Sequence, residues 1–241
     1  MLRALKHRLR HWAQQLRGGN RDKIKNLRTK IRQEAKPVMV LGSAPGTQLP
    51  QGWRTDHALI TVNAAQVVGT QLGLNDPDIA VITGTLMGEL PANVAAKAQL
   101  RDKATGTILY IDRLVIWKVG RKLLEQMNYR FDEALVMTHE ARNHIMQQVI
   151  GENLGMGRDA SERVSNGIFA ILLAIHLGYP QIVIAGINPG SSGHAYDSNN
   201  APREHSDPDA HALQLIARQH RNVYAAAPEL AAKFGLPLWS A

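Results

Sequence analysis

Two histidines, His194 and His205, sit in the stretch SSGHAYDSNNAPREHSD, residues 191–207, whose glycine, serine and asparagine mark it as a loop. Solubility alone would call for Lys and Glu rather than two imidazoles and a tyrosine. An imidazole titrates near neutral pH, so it can take a proton from an attacking hydroxyl or donate a hydrogen bond to a departing phosphate. Plainer duties are open too. Ser206-Asp207-Pro208 reads as a helix cap and first turn, which would make His205 a helix-start residue. His194 would then be an exposed loop side chain. Arg203 either pairs with a phosphate or carboxylate or is simply solvated.

A second set of residues ends apolar runs. Val38–Leu41 is followed by Gly42-Ser43-Ala44-Pro45-Gly46, Ala58–Val62 by Asn63, and Ile79–Ile82 by Thr83-Gly84-Thr85. Small residues after a strand let backbone amides approach a phosphate or a ribose. Asn63 either serves a ligand in this way or satisfies backbone groups at its strand end. The standard nucleotide signatures are absent, because no third glycine opens a helix after Gly46 and no P-loop lysine follows a glycine-rich turn. There is no G-x-S-x-G elbow. His139 and His144 flank a Glu140-containing run, but they are five apart where a zinc helix needs four, so the run reads as surface or partner-helix chemistry.

The elements that must hold these groups alternate. After the three short strands come a helical pattern at 91–103, a strand at 107–111, a helix at 113–127, a strand at 134–137 and a helix at 139–150. An apolar helix near 165–177 follows, with His176 in or at the edge of the core. The chain ends with a strand at 182–185, a helix at 208–219, a strand at 222–226 and a short helix from Pro228. The alternation predicts an α/β fold, a Rossmann-like parallel sheet covered by helices on both faces. Such sheets bind ligands at the carboxyl ends of their strands, near a topological switch point.

With 241 residues, 44% of them hydrophobic and 20% charged, the chain suits one domain with a sizeable core and an appendage. The absence of cysteine excludes a disulfide framework and thiolate metal sites. No apolar run reaches transmembrane length, and no signal-peptide pattern precedes the domain, so a cytoplasmic location is expected. The net charge of +8 is local: residues 1–36 hold twelve Lys and Arg against Asp22 and Glu34, while the rest carries 16 basic and 18 acidic residues. Within that arm Leu2, Leu5, Leu9, Trp12 and Leu16 share one helical face, and after Gly18-Gly19 the residues Ile24, Leu27 and Ile31 begin a second amphipathic stretch. The domains expected are thus a basic helical arm, 1–36, and a catalytic body, 37–241. The arm suits either an anionic membrane surface, at the inner face of the cytoplasmic membrane, or docking on the body or a second subunit. The body offers no nucleic-acid module.

Residues 163–228 carry a resemblance. The run RVSNGIFAILLAIHLGYPQIVIAGINPGSSGHAYD and the later EHSDPDAHALQLIARQHRNVYAAAP are similar to the C-terminal half of the bacterial sialyltransferases of glycosyltransferase family 42. That family has an Arg-x-Thr-Ser-Gly opening on an apolar helix, a strand ending Gly-x-Asp, a Ser-Ser-Tyr-Ala-Phe-Asp-like loop and a His-Ser before a helix. GSAPG and Val62-Asn63 more weakly resemble its Gly-Asn-Gly-Pro-Ser and Cys-Asn motifs. Residues 91–160 show no counterpart.

The resemblance implies an inverting glycosyltransferase that moves an acidic sugar from a CMP-activated donor to a glycan or lipid-linked acceptor, with no metal or other cofactor required. It places His205 on the catalytic histidine and His194 where a tyrosine binds the leaving phosphate, with Tyr196 two places on. Asn63 would hydrogen-bond the nucleotide or phosphate, and Gly42 and Ser43 would lie near the ribose and phosphate, beside the strand end at Thr83. Arg163 matches the arginine ahead of the helix, and Ser165 and Asn166 match the pair that approaches the donor. Asn188 replaces the aspartate of Gly-x-Asp, Gly190 stands where a second tyrosine would, and the segment between Asp197 and His205 is shorter than the family's lid. Sialic acid and a Kdo-like ulosonic acid both stay open as the sugar. So do two other functions: an ATP- and Mg-dependent diphosphokinase related to pterin pyrophosphokinases, and a non-catalytic nucleotide-binding protein.

Overall fold

A computed structural model describes residues 22–113, 115–154, 160–196 and 204–240. Four short runs, β1 (Val38–Leu41), β2 (Ala58–Val62), β3 (Ile79–Thr83) and β6 (Ile182–Ala185), are buried at every position. Continuous apolar strands of this kind fit only a sheet covered on both faces. With β4 (Ala104–Ile111), β5 (Arg130–Met137) and β7 (Val223–Ala225) they form one seven-stranded sheet in the order β5-β4-β3-β2-β1-β6-β7. Every pairing is parallel. The chain runs outward from β1 to β5 and then returns to the other side of β1, so the switch point lies between β1 and β6.

One face carries Val38, Val40, Ile60, Val81, Leu109 and Ile184. It is filled by α6 (Asn166–Leu177), which is apolar nearly all round, together with α5 (His139–Ile150), α7 (Ser206–Gln219) and α8 (Pro228–Phe234). Helix α6 starts where the Ser165 hydroxyl caps the Ile168 amide at 3.3 Å, and it stops at Gly178 in the left-handed region. The opposite face is covered by α2 (Gln66–Gln71), α3 (Pro91–Leu100) and α4 (Trp117–Gln126). Among the described residues no helix is long and apolar enough to cross a membrane.

The second amphipathic stretch of the arm is a helix, α1, over residues 22–34. It docks on the body. Ile31 is buried in the main core, Ile24 and Leu27 pack against it, and the Lys23 ammonium donates to the Ala134 carbonyl at 3.0 Å beside Glu133. Helix α1 and the sheet thus share one core. The first amphipathic stretch, Leu2 to Leu16, lies outside the described residues. Residues 91–150, which had no counterpart in the resemblance, supply α3, β4, α4, β5 and α5 and complete one wing of the sheet.

Candidate functional site

The carboxyl ends of β1 and β6 turn into Gly42 and Gly186, and the two backbones pass in direct contact. A β-carbon on Gly42 would lie 2.3 Å from the Gly186 carbonyl oxygen, and one on Gly186 would lie 2.5 Å from the Gly42 oxygen. Gly186 also has a φ of +64°. Two backbone bonds clasp the crossing, Gly42 N–H to the Ala185 carbonyl at 2.8 Å and Ala44 N–H to the Gly186 carbonyl at 2.9 Å. Here glycine is required for close approach.

Above this crossing opens a cleft of about 410 Å³. Of the eleven residues singled out from the sequence, eight line it: Gly42, Ser43, Asn63, Ser165, Asn166, His194, Tyr196 and His205. Residues up to 163 positions apart in the chain, from Gly42 to His205, are thus gathered at the switch point. Sheet topology does this, as expected for a parallel α/β sheet.

The three others stand behind the wall. Thr83, at the end of β3, donates its amide to the Asn63 side-chain oxygen at 3.4 Å, and its hydroxyl accepts from the Asn166 amide at 3.4 Å. It links two lining side chains without lining the cleft itself. Arg163 acts through its carbonyl, described below. Asn188 closes a local turn, its side-chain oxygen accepting from the Gly190 amide at 2.9 Å. That is the usual Asx-turn duty of a loop asparagine.

His205 immediately precedes α7, so the helix-start reading and the site reading describe the same residue. Its Nδ1 lies 2.8 Å from the Arg163 carbonyl oxygen. A carbonyl only accepts, so Nδ1 carries the hydrogen and Nε2 is the lone-pair nitrogen of the neutral ring. His194 Nδ1 lies 2.8 Å from the Ser43 hydroxyl. The His194 ring stacks on Tyr196, with centroids 5.1 Å apart and planes within 4°. The Ala195 amide donates to the Ser43 carbonyl at 2.8 Å, tying this loop to the β1 turn. Asn63 has a φ of +49°, in the left-handed region that asparagine tolerates better than other side chains.

Two buried charges brace the site, and neither was singled out from the sequence. Asp209, only 2% exposed, accepts the Ser165 amide at 2.7 Å, while its own amide bonds the His205 carbonyl at 3.0 Å. It therefore fastens the start of α7 to the start of α6. Arg142, 5% exposed, donates to the Val164 carbonyl at 2.9 Å and lies over the Phe169 ring at 5.2 Å. Burial, then the Arg163 charge, bring Arg142 down to about 10, with Asp209 acting in the opposite sense. Arg142 belongs to the run His139–His144, read from sequence as surface or partner-helix chemistry. Its two histidines are exposed, as that reading has it, but the arginine between them is a buried brace. Acidic residues in the first turn of a helix were a usable signal for Asp209; Arg142 gave none. Arg203 and most of the short segment after Asp197 lie outside the described residues.

Seven parallel strands in this order, covered by helices, make a fold similar to that of solved sialyltransferases. Solved structures put it on named proteins, each at low identity. The sialyltransferase CST-II in complex with a trisaccharide acceptor and CMP is 16% identical, with 84% of this chain and 86% of that chain aligned and a TM-score of 0.53. CstII from Campylobacter jejuni with cytidine-5'-monophosphate is 15% identical over 83% and 84%, with a TM-score of 0.50. The monofunctional alpha-2,3-sialyltransferase Cst-I from the same organism is 13% identical over 84% and 80%, with a TM-score of 0.52. The likeness that the sequence carried over 163–228 thus extends, at the level of fold, across most of the chain. No protein-family model and no curated protein sequence matches it.

Proposed function

We propose that this chain is a glycosyltransferase that moves an acidic sugar, sialic acid or a Kdo-like ulosonic acid, from a CMP-activated donor to a glycan or lipid-linked acceptor. The observation that carries the reading is the His205 ring. Its Nδ1 is committed to the Arg163 carbonyl, and it lines one cleft with Ser43, Asn63 and His194. The sialyltransferase fold and the CMP-bound neighbours support the choice of donor.

In the reaction, the acceptor hydroxyl oxygen attacks the anomeric carbon while its proton passes to Nε2 of His205. The bond from that carbon to the phosphate oxygen breaks, and CMP leaves with the electron pair. Attack opposite the leaving group inverts the centre. Charge gathers on the phosphate, where hydrogen-bond donors are most effective. When the Ser43 hydroxyl donates to His194 Nδ1, the ring hydrogen sits on Nε2, the nitrogen that would donate to a phosphate oxygen. The strand-end amides after Gly42 and the Asn63 side chain suit the nucleotide. The leaving group is already a phosphate monoester, so these donors suffice and no metal is invoked. The enzyme would meet its acceptor at the inner face of the cytoplasmic membrane, held there by its basic arm, residues 1–36.

His205→Ala tests the base. Turnover should fall about 100-fold or more, the usual worth of a positioned base, with CMP affinity changed less than about threefold. Unchanged turnover removes His205 from the chemistry. A thermal-shift panel of CMP, CDP, UDP and ATP separates the neighbouring readings: stabilisation by CMP supports the transferase, and by ATP with Mg²⁺ alone a diphosphokinase. EDTA should leave turnover intact.

A further inference from the structure

Five large hydrophobic side chains are strongly exposed among the described residues, and four of them belong to the starts of two neighbouring helices. Leu90 (70% exposed) and Val94 (47%) are one turn apart on α3. Val115 (57%) and Val119 (59%) are one turn apart at the start of α4. Both helices follow strands at their carboxyl ends, and both pack on the short turn 84–87, so the two pairs occupy the same end of the same face of the sheet. That end is the rim of the cleft, where Ala92 and Asn93, between Leu90 and Val94, line the opening.

The charges there are sorted. Lys118 and Lys122, both exposed, stand three residues after Val115 and Val119 on the same helical stripe, and exposed Arg113 precedes them. The acidic neighbours are occupied: Glu89 pairs with Lys97 at 3.1 Å, Glu125 pairs with Arg121 at 2.9 Å, and Asp112 accepts the Arg113 amide. Trp117, at the start of α4, packs inward on Tyr110 with centroids 5.0 Å apart and on Phe131 at 6.2 Å. Exposed aliphatic side chains set beside Lys118, Lys122 and Arg113 match the apolar and anionic layers of a bilayer boundary.

We infer that the exposed starts of α3 and α4 dock the rim of the cleft on an anionic membrane surface. The cleft mouth would then face the layer in which a lipid-linked acceptor lies. This contact is separate from the basic stretch before α1; only its meaning for the acceptor rests on the transferase reading, since the contact is measured without turnover.

The experiment uses the full chain and phosphatidylcholine vesicles with or without phosphatidylglycerol. The chain has no cysteine, so Val119→Cys takes a single environment-sensitive dye. Its emission should shift to the blue on the anionic vesicles alone, while the same dye on exposed Gln51→Cys should not shift. Lys118→Gln with Lys122→Gln should weaken partitioning about 25-fold, roughly fivefold for each cation. Changing Leu90, Val94, Val115 and Val119 together to Asn should weaken it further, with the melting temperature kept, since all four are exposed. Three results would overturn the inference: no shift at Val119→Cys; full binding by the Asn variant, which leaves the arm as sole anchor; or a dimer in sedimentation that the Asn variant dissolves, which makes this face a contact between copies. Release of CMP in the presence of a soluble acceptor is indifferent to all three, so the transferase reading stands or falls separately.

Discussion

Gly42→Ala is the substitution whose consequence can be worked most fully from the fold. The added methyl would lie 2.3 Å from the Gly186 oxygen, 2.6 Å from Ile187 Cγ1 and 2.8 Å from the Gly186 carbonyl carbon. Comfortable carbon contacts need about 3.5 Å, so the two loops must part by about 1 Å. Two of these neighbours are backbone, and the crossing is clasped by hydrogen bonds of 2.8 and 2.9 Å, so parting stretches or breaks one of them. Overpacking costs about 1–3 kcal/mol and a lost hydrogen bond about 1 kcal/mol, for a total of about 2–4 kcal/mol. In a chain of this size that is a drop in melting temperature of roughly 5–15 °C. Ser43 and Ile187 both line the cleft, so CMP affinity should fall as well. Gly46→Ala is the control: its φ of +72° makes alanine strained, yet nothing lies within 4 Å, so only about 1 kcal/mol is lost and the cleft is untouched. Calorimetry and CMP titration of both variants decide. If Gly42→Ala melts no lower than Gly46→Ala, or binds CMP as native protein does, the crossing does not shape the site.

Other substitutions separate roles that coincide in one residue. Asn63→Gly keeps the left-handed backbone at φ +49° while removing the side chain, whereas Asn63→Ala pays about 1 kcal/mol for the backbone as well. Equal losses of CMP affinity in the two, with Ala the less stable in urea, would assign the side chain to the ligand; loss in Ala alone would assign it to the turn. Asp209→Asn removes the buried charge beside Arg142 and should cost about 3 kcal/mol in denaturant unfolding. It should also lower turnover more than CMP binding, because it loosens the start of α7; unaltered stability would refute the bracing role. The stability profile against pH should be set by His57, His139 and His176, whose proton affinities are all lowered from the ordinary value of 6.5, chiefly by loss of solvent around the ring. The unfolded chain then binds more protons, so their contribution is present above about pH 6.5 and is lost as pH falls through the depressed folded values. His57→Gln, His139→Gln and His176→Gln together should flatten melting temperature between about pH 5 and 7; an unchanged slope would contradict this.

The fold was legible where local pattern and tertiary environment agree. β1 and β6 are continuous apolar runs, and the capped, all-apolar α6 could only be central. The strand ends then located the cleft, because parallel topology fixes which ends meet. Legibility failed where the environment is one-sided. β5 begins at Arg130, and its first residues alternate exposed and half-buried at the sheet edge, so from sequence the strand began at 134. α2 is only six residues long and left no separate signal beside β2. Asn188 sat at a motif position, but its own backbone two residues on captured the side chain. Arg142 and Asp209 are charged residues that burial makes important, and burial of a charge depends on partners more than twenty residues away.

β1 is the axis of the sheet, yet its two neighbours emerge from synthesis at very different times. Val38 pairs with Ala58 on one side and with Ile182 on the other. At about 5–20 residues per second, the second partner follows the first strand by roughly 10–30 s, during which four apolar residues present an open edge. The division of labour follows the same line: Gly42, Ser43 and Asn63 belong to the early half, and Ser165, Asn166, His194 and His205 to the late one. A stalled or truncated chain therefore carries at most half a cleft. The two halves of the cleft meet only when β6 takes its place beside β1.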